Sequence, residues 1–156
     1  MKYLIKIALL SFIIFGCKQP EVNFKIEKEK ITFAWTDWSK KAMTGKPELI
    51  AYYFADDALV LEPNAKPING KAEMIKIYAA APTNFELDIK WENENEPNII
   101  QFSKDGDMAY SLDKNIASIP DSIGKIRKVH NNVLHLWKKD KEGNWKVSLL
   151  MFCPYK

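Results

Sequence analysis

The chain has 156 residues, 47% of them hydrophobic and 12% aromatic, which suits one domain with a sizeable core and is too short for two ordinary ones. That composition, with a formal charge of only +3, excludes a disordered chain, a collagen, a multi-span membrane protein and a disulfide-rich miniprotein. The basic runs Lys125, Arg127, Lys128 and Lys138, Lys139, Lys141 read as solvated strand ends and turns rather than a clustered phosphate-binding face, so no nucleic-acid partner is expected.

Lys2 and Lys6 flank an apolar stretch, Ile7 to Phe15, that is too short to span a bilayer as a helix and has the length of a signal-peptide core. Gly16 and Cys17 follow, and the string IIFGC resembles a bacterial lipoprotein signal, whose cysteine is lipidated and becomes the new N-terminus. The expected organisation is a signal peptide over 1–16, a lipidated Cys17 with a tether through residue 25, and one domain over 26–156. The expected location is the bacterial cell envelope, with the domain outside the cytoplasm and held to a membrane by acyl chains. Loss of Lys2 and Lys6 leaves 21 basic against 20 acidic side chains, a net charge of +1. With Cys17 lipidated, Cys153 has no disulfide partner within the chain and reads as a packed thiol at a strand end.

From Ile31 the apolar positions Ile31, Ala34, Trp35, Trp38 and Ala42 recur at threes and fours, the stripe of an amphipathic helix that stops at Gly45. Pro47 suits the first turn of a second helix through Ala55, and Ala58 to Glu62 reads as a brief strand closed by Pro63. The loop PNAKPING leads to a third helix, Lys71 to Ala80, with Met74, Ile75 and Tyr78 inward. After Pro82 the period changes to two: Phe85, Leu87, Ile89 and Trp91 alternate. Two pairs of segments follow, Asn98–Ser103 with Met108–Ile119 about the turn KDGD, and Ile126–Lys138 with Trp145–Phe152 about the turn DKEGN. Three helices followed by long antiparallel strands predict an α+β fold whose helices cover one face of a curved sheet. All six glycines sit singly at junctions, so there is no phosphate-cradling loop and no dinucleotide fingerprint, and no cofactor is expected.

The segment FADDALVLEPNAKPINGKAEMIKIY, residues 54–78, resembles the helix, strand, loop and helix of the nuclear-transport-factor-2-like (NTF2-like) superfamily, in its SnoaL-like, DUF4440 and ketosteroid-isomerase-like branches. The string LHLWKKDKEGNWKVSLLMF, residues 134–152, resembles the last hairpin of the same superfamily. The resemblance implies a cone-shaped α+β scaffold with a pocket between helices and sheet. It says little about activity, because this scaffold hosts isomerases, cyclases, dehydratases, binding modules and assembly domains.

In ketosteroid isomerase a carboxylate moves the proton while a tyrosine and a protonated aspartic acid stabilise the oxyanion. Carried over by motif, the base position falls on Glu62, the tyrosine position near Trp38 and the second acid near Leu134. Leucine donates no hydrogen bond, so steroid isomerase activity is not expected. With Leu134 inward, strand parity sends His130, Asn132 and Leu136 inward and Val133, His135 and Trp137 outward. His130 and His135 then share no metal, and no metal site is expected. The expected pocket comprises Trp38, Glu62, Tyr110, His130, Asn132, Leu134 and Phe152, with Glu62 and His130 as candidate catalytic acid and base. The leading expectation is a membrane-anchored domain that binds a small, partly apolar ligand. Two alternatives stand beside it: a SnoaL-like isomerase, cyclase or dehydratase with Glu62 as general base, and an assembly module forming a homodimer through its outer sheet face.

Overall fold

The computed structural model describes residues 21–80, 88–120 and 123–155. The expected signal peptide, Cys17 and the first part of the tether lie outside the described residues, as do Phe85 and Leu87. The first helix, α1 (Phe24–Ala42), is capped by Asn23, whose side chain accepts from the Ile26 N–H at 3.3 Å. It therefore starts inside the expected tether and seven residues before Ile31. Of those seven residues only Glu27 is buried, so no apolar stripe announces them. The Glu27 carboxylate instead receives hydrogen bonds from Lys30 at 2.9 Å and from the Trp145 indole at 2.8 Å, and pairs with Lys139 at 3.0 Å.

The second helix, α2 (Pro47–Ile50), is shorter than expected. Tyr52 and Tyr53 form a turn, and Phe54 and Ala55 already belong to strand β1 (Phe54–Leu61), because Phe54 pairs with Val147 across the sheet. Then come β2 (Ile68–Asn69), α3 (Lys71–Ala79), β3 (Asp88–Trp91), β4 (Ile99–Phe102), β5 (Met108–Pro120), β6 (Ile126–Lys139) and β7 (Trp145–Tyr155). The two hairpin turns fall where KDGD and DKEGN place them. In the first, Gly106 has φ +65° and lies against Val22, so that a Cβ there would meet a Val22 methyl at 2.5 Å. The entering chain is thereby fixed to the β4–β5 end of the sheet.

The sheet runs β2-β1-β7-β6-β5-β3, with β4 beside β3 along the same edge of β5. One pairing departs from the expected all-antiparallel order, since β1 lies parallel to β7. The β6–β7 register shifts between Leu136 and Trp137 and leaves Ser148 unpaired, a bulge that adds local twist to the curved sheet. All three helices cover one face. Ile31, Trp35 and Trp38 of α1 and Met74 of α3 share one buried cluster with Val60, Val133, Trp137, Val147 and Leu150. This is the expected α+β arrangement.

Strand parity in β6 is the reverse of the expectation. Asn131, Val133, His135 and Trp137 are buried on the helix side, while His130 and Asn132 are exposed and Leu134 and Leu136 half-buried on the other. The expectation starts from Leu134 facing inward, and a change of one residue exchanges the two faces of a whole strand. Val133, His135 and Trp137 are therefore no docking face. Cys153 is exposed rather than packed.

Candidate functional site

The concave face of the sheet is built from alternate residues of its long strands. In β5, Ser111, Asp113 and Asn115 point to the helix side, and all are buried. Register places Ser111 opposite His135, Asp113 opposite Val133 and Asn115 opposite Asn131. Five polar side chains thus occupy the middle of an otherwise apolar face, where burial without partners costs about 1–3 kcal/mol per group.

Some are satisfied within the protein. The Asn131 amide donates to Asn115 Oδ1 at 3.0 Å, and the Trp137 indole to Ser111 Oγ at 3.1 Å. Others are not. His135 Nδ1 lies 3.3 Å from Asp113 Oδ2, ion-pair distance with both side chains fully buried, yet neither group makes an aligned hydrogen bond. The Trp35 indole N–H and the Asn115 side-chain N–H₂ also lack a hydrogen-bond partner among the described residues.

Aromatic rings wall this cluster. The His135 ring meets Trp38 edge-on at 5.0 Å and stacks on Trp137 at 5.8 Å. Trp91 contacts both Trp38, at 5.9 Å, and Trp35, at 5.1 Å. The Trp38 indole is already committed to the Ile50 carbonyl at 3.0 Å, so it shapes the wall and donates nothing inward. Farther along the helix side, Tyr78 of α3 donates to Glu62 at the exit of β1, at 2.8 Å. Burial, and then the neighbouring Glu62 carboxylate, push the Tyr78 phenol far above its usual range and keep it a donor.

Chemically, the arrangement offers a carboxylate–imidazole pair for holding or moving a proton, two free N–H donors for an oxygen atom, and indole faces for an apolar body. Of the residues expected in the pocket, Trp38, Glu62 and Phe152 lie on the helix side: Trp38 and Phe152 pack in the core cluster and Glu62 binds Tyr78. Tyr110, His130, Asn132 and Leu134 lie on the opposite face. Glu62 and His130 are separated by the sheet and form no acid–base pair. His130 contacts Tyr155 instead, with ring centroids 5.7 Å apart. Asp113, Asn115 and His135 were missed as site residues. The signal that marks Asp113 and Asn115 is the spacing Ser111-x-Asp113-x-Asn115, three polar residues on one face in the middle of a long strand.

Solved structures share this architecture. The nuclear transport factor 2 (NTF2-like) superfamily protein from Salmonella enterica superposes with a TM-score of 0.69 over 85% of this chain and 94% of its own, at 14% identity. The chain has the NTF2-like fold. A ketosteroid isomerase-like protein from Erwinia carotovora gives a TM-score of 0.66 over 83% of this chain and 97% of its own, also at 14% identity. The S. rosetta CaMKII hub gives 0.65 over 88% and 100%, at 13% identity. No protein-family model and no curated protein matches the sequence, and at these identities the likeness is one of NTF2-like fold alone. The neighbours' own descriptions span an isomerase-like protein and a kinase hub, so the NTF2-like scaffold leaves chemistry to the side chains on its concave face.

Proposed function

We propose that this NTF2-like domain binds a small, partly apolar molecule on its concave face and recognises an oxygen function on it through Asp113, His135, Asn115 and Trp35. The observation that supports this reading is the gathering of six buried polar atoms on those four residues that make no hydrogen bond among the described residues, bounded by Trp38, Trp91 and Trp137. A fold that needed only a core would fill these positions with apolar groups. Ligands of matching chemistry are cyclic ketones and phenols, whose rings stack on indoles and whose oxygens accept from Asn115 and Trp35 or donate to Asp113. The test is a panel of such compounds read by thermal shift and calorimetry. Binding by the native protein that is lost in Asn115→Leu and in Asp113→Leu with His135→Leu supports the assignment, while unchanged affinity in both variants refutes it.

A catalytic reading is favoured by the Asp113–His135 pair, in which the imidazole accepts a proton from carbon next to a carbonyl and the carboxylate stabilises the imidazolium. An assembly reading is favoured by the convex face. Tyr110, Leu136 and Leu149 form one row there and Leu112, Leu134 and Met151 the next, with the three helices of the described residues on the other side. Two copies joined across these rows would bury an apolar surface that otherwise faces water. We further propose that Cys17 carries the lipid anchor expected from IIFGC. Cys17→Ser should move the protein from the membrane to the soluble fraction, and unchanged membrane association would remove this reading.

A further inference from the structure

We propose that the groove between α1 and the β6–β7 turn is the surface on which the domain rests against a phospholipid bilayer. The groove has a volume of about 720 Å³. Its apolar lining is unusually open to water: Phe33 is 70% exposed, Tyr52 51% and Ile26 46%. The Tyr52 ring is fixed by the Lys41 ammonium, 4.4 Å from its centroid on one side, and the Lys146 ammonium at 5.7 Å. Exposed aromatic rings beside lysine stems are the composition that settles at a membrane–water interface.

The position of the groove selects the bilayer as its occupant, and this step rests on the proposed anchor at Cys17. Val22 is seated on Gly106 and Phe24 on Phe102, with ring centroids 5.5 Å apart, so the tether leaves the domain at the β4–β5 end of the sheet. Lys139 N–H bonds the Asp107 carbonyl at 3.1 Å, which puts the β6–β7 turn at that same end. The five residue steps from Cys17 to Val22 reach at most about 18 Å. The end carrying Ile26 and the β6–β7 turn is thereby held against the membrane, while Ile126, at the other end of β6, stands on the order of 40 Å away.

Charge narrows the lipid class. Lys30 and Lys146 in the lining are balanced by Glu29 and Glu142, so the contact is with zwitterionic headgroups through apolar area and depends little on salt.

The experiment uses the full lipidated chain on phosphatidylcholine vesicles. A fluorophore is placed at Phe33→Cys or, as control, at Ile126→Cys, each with Cys153→Ser. On attachment, quenching of the residue-33 probe by aqueous iodide should fall by about threefold or more and lipid-borne quenchers should reach it, while the residue-126 probe changes in neither respect. Iodide access at residue 33 that is unchanged in vesicle-bound protein overturns the proposal. So does shielding from iodide without lipid-borne quenching, which would mean a protein occupant. Failure of the anchor is read separately, by mass spectrometry of the membrane-extracted chain: a Cys17 without acyl chains removes the premise and the proposal with it.

Discussion

Asp113 and His135 sit on neighbouring central strands with side chains wholly withdrawn from water, and such a pair is a poor way to stabilise a fold. Removing one member leaves the other buried without its partner, so His135→Leu should lower unfolding free energy by about 3–5 kcal/mol. Replacing both, as Asp113→Leu with His135→Leu, should be neutral or stabilising by up to about 4 kcal/mol while abolishing binding on the concave face. Urea denaturation of the three proteins decides: a double variant as damaged as the single would show that the pair holds the fold rather than a ligand. These residues were hard to read in the sequence for a physical reason. In β6 both alternations mix polar with apolar side chains, Asn131/Val133/His135/Trp137 on one face and His130/Asn132/Leu134/Leu136 on the other. The convex face is itself apolar, so hydrophobicity alone does not tell inside from outside. Helical spacing fixes the face on which Trp38 lies, whereas Glu62 is reached only through the resemblance of FADDALVLEP to a family motif and lies apart from this cluster, bound by Tyr78.

Between elements, Glu27 joins the first turn of α1 to the hairpin of β6 and β7. Burial works to raise its pKa, but hydrogen bonds from Lys30, Lys139 and Trp145 outweigh it and hold the carboxyl below its usual value. A depressed folded pKa contributes stability that is complete above the unfolded value of about 4.5 and is lost as pH falls through the folded one. The native protein should therefore lose stability below about pH 4.5 more steeply than Glu27→Gln, which should be weaker by about 1–3 kcal/mol at neutral pH. Parallel melting curves from pH 7 to pH 3 test this, and identical slopes would contradict it. Gly106→Ala meets both a positive φ and the Val22 side chain, so it should cost about 1–2 kcal/mol or more, seen as a fall of several degrees in Tm. Elements were largely legible. Lys71–Ala79 and both strands around DKEGN lie within a few residues of expectation, because turn residues and caps are local signals. The start of α1 was not, since its first turns are held by Glu27 rather than by an apolar stripe.

At the scale of the molecule, the bare convex rows lead to a concentration-dependent expectation. Sedimentation equilibrium of the native protein should show a dimer, and Leu134→Lys, at the centre of those rows, should shift it to monomer without changing the far-UV spectrum. A native monomer at all concentrations would exclude the assembly reading. The α+β class was evident from the change of period after Pro82, but the parallel seam between β1 and β7 was not, because register between distant strands leaves no local trace. That seam orders events in time. A polypeptide delivered N-terminus first, from a ribosome or through a secretion pore, presents β1 long before β7, its parallel neighbour, exists. Trp145, the partner of Glu27, arrives 118 residues after it. The attachment of the β2–β1 pair to the rest of the sheet and the Glu27–Trp145 tie of α1 must both wait for the final strand, which makes long-range closure the slow step and leaves the nascent chain open until its last residues emerge. A premature stop after Asn144 would remove β7 from beside β1 and the Trp145 indole from Glu27 at once, and such a fragment should show no cooperative transition by calorimetry.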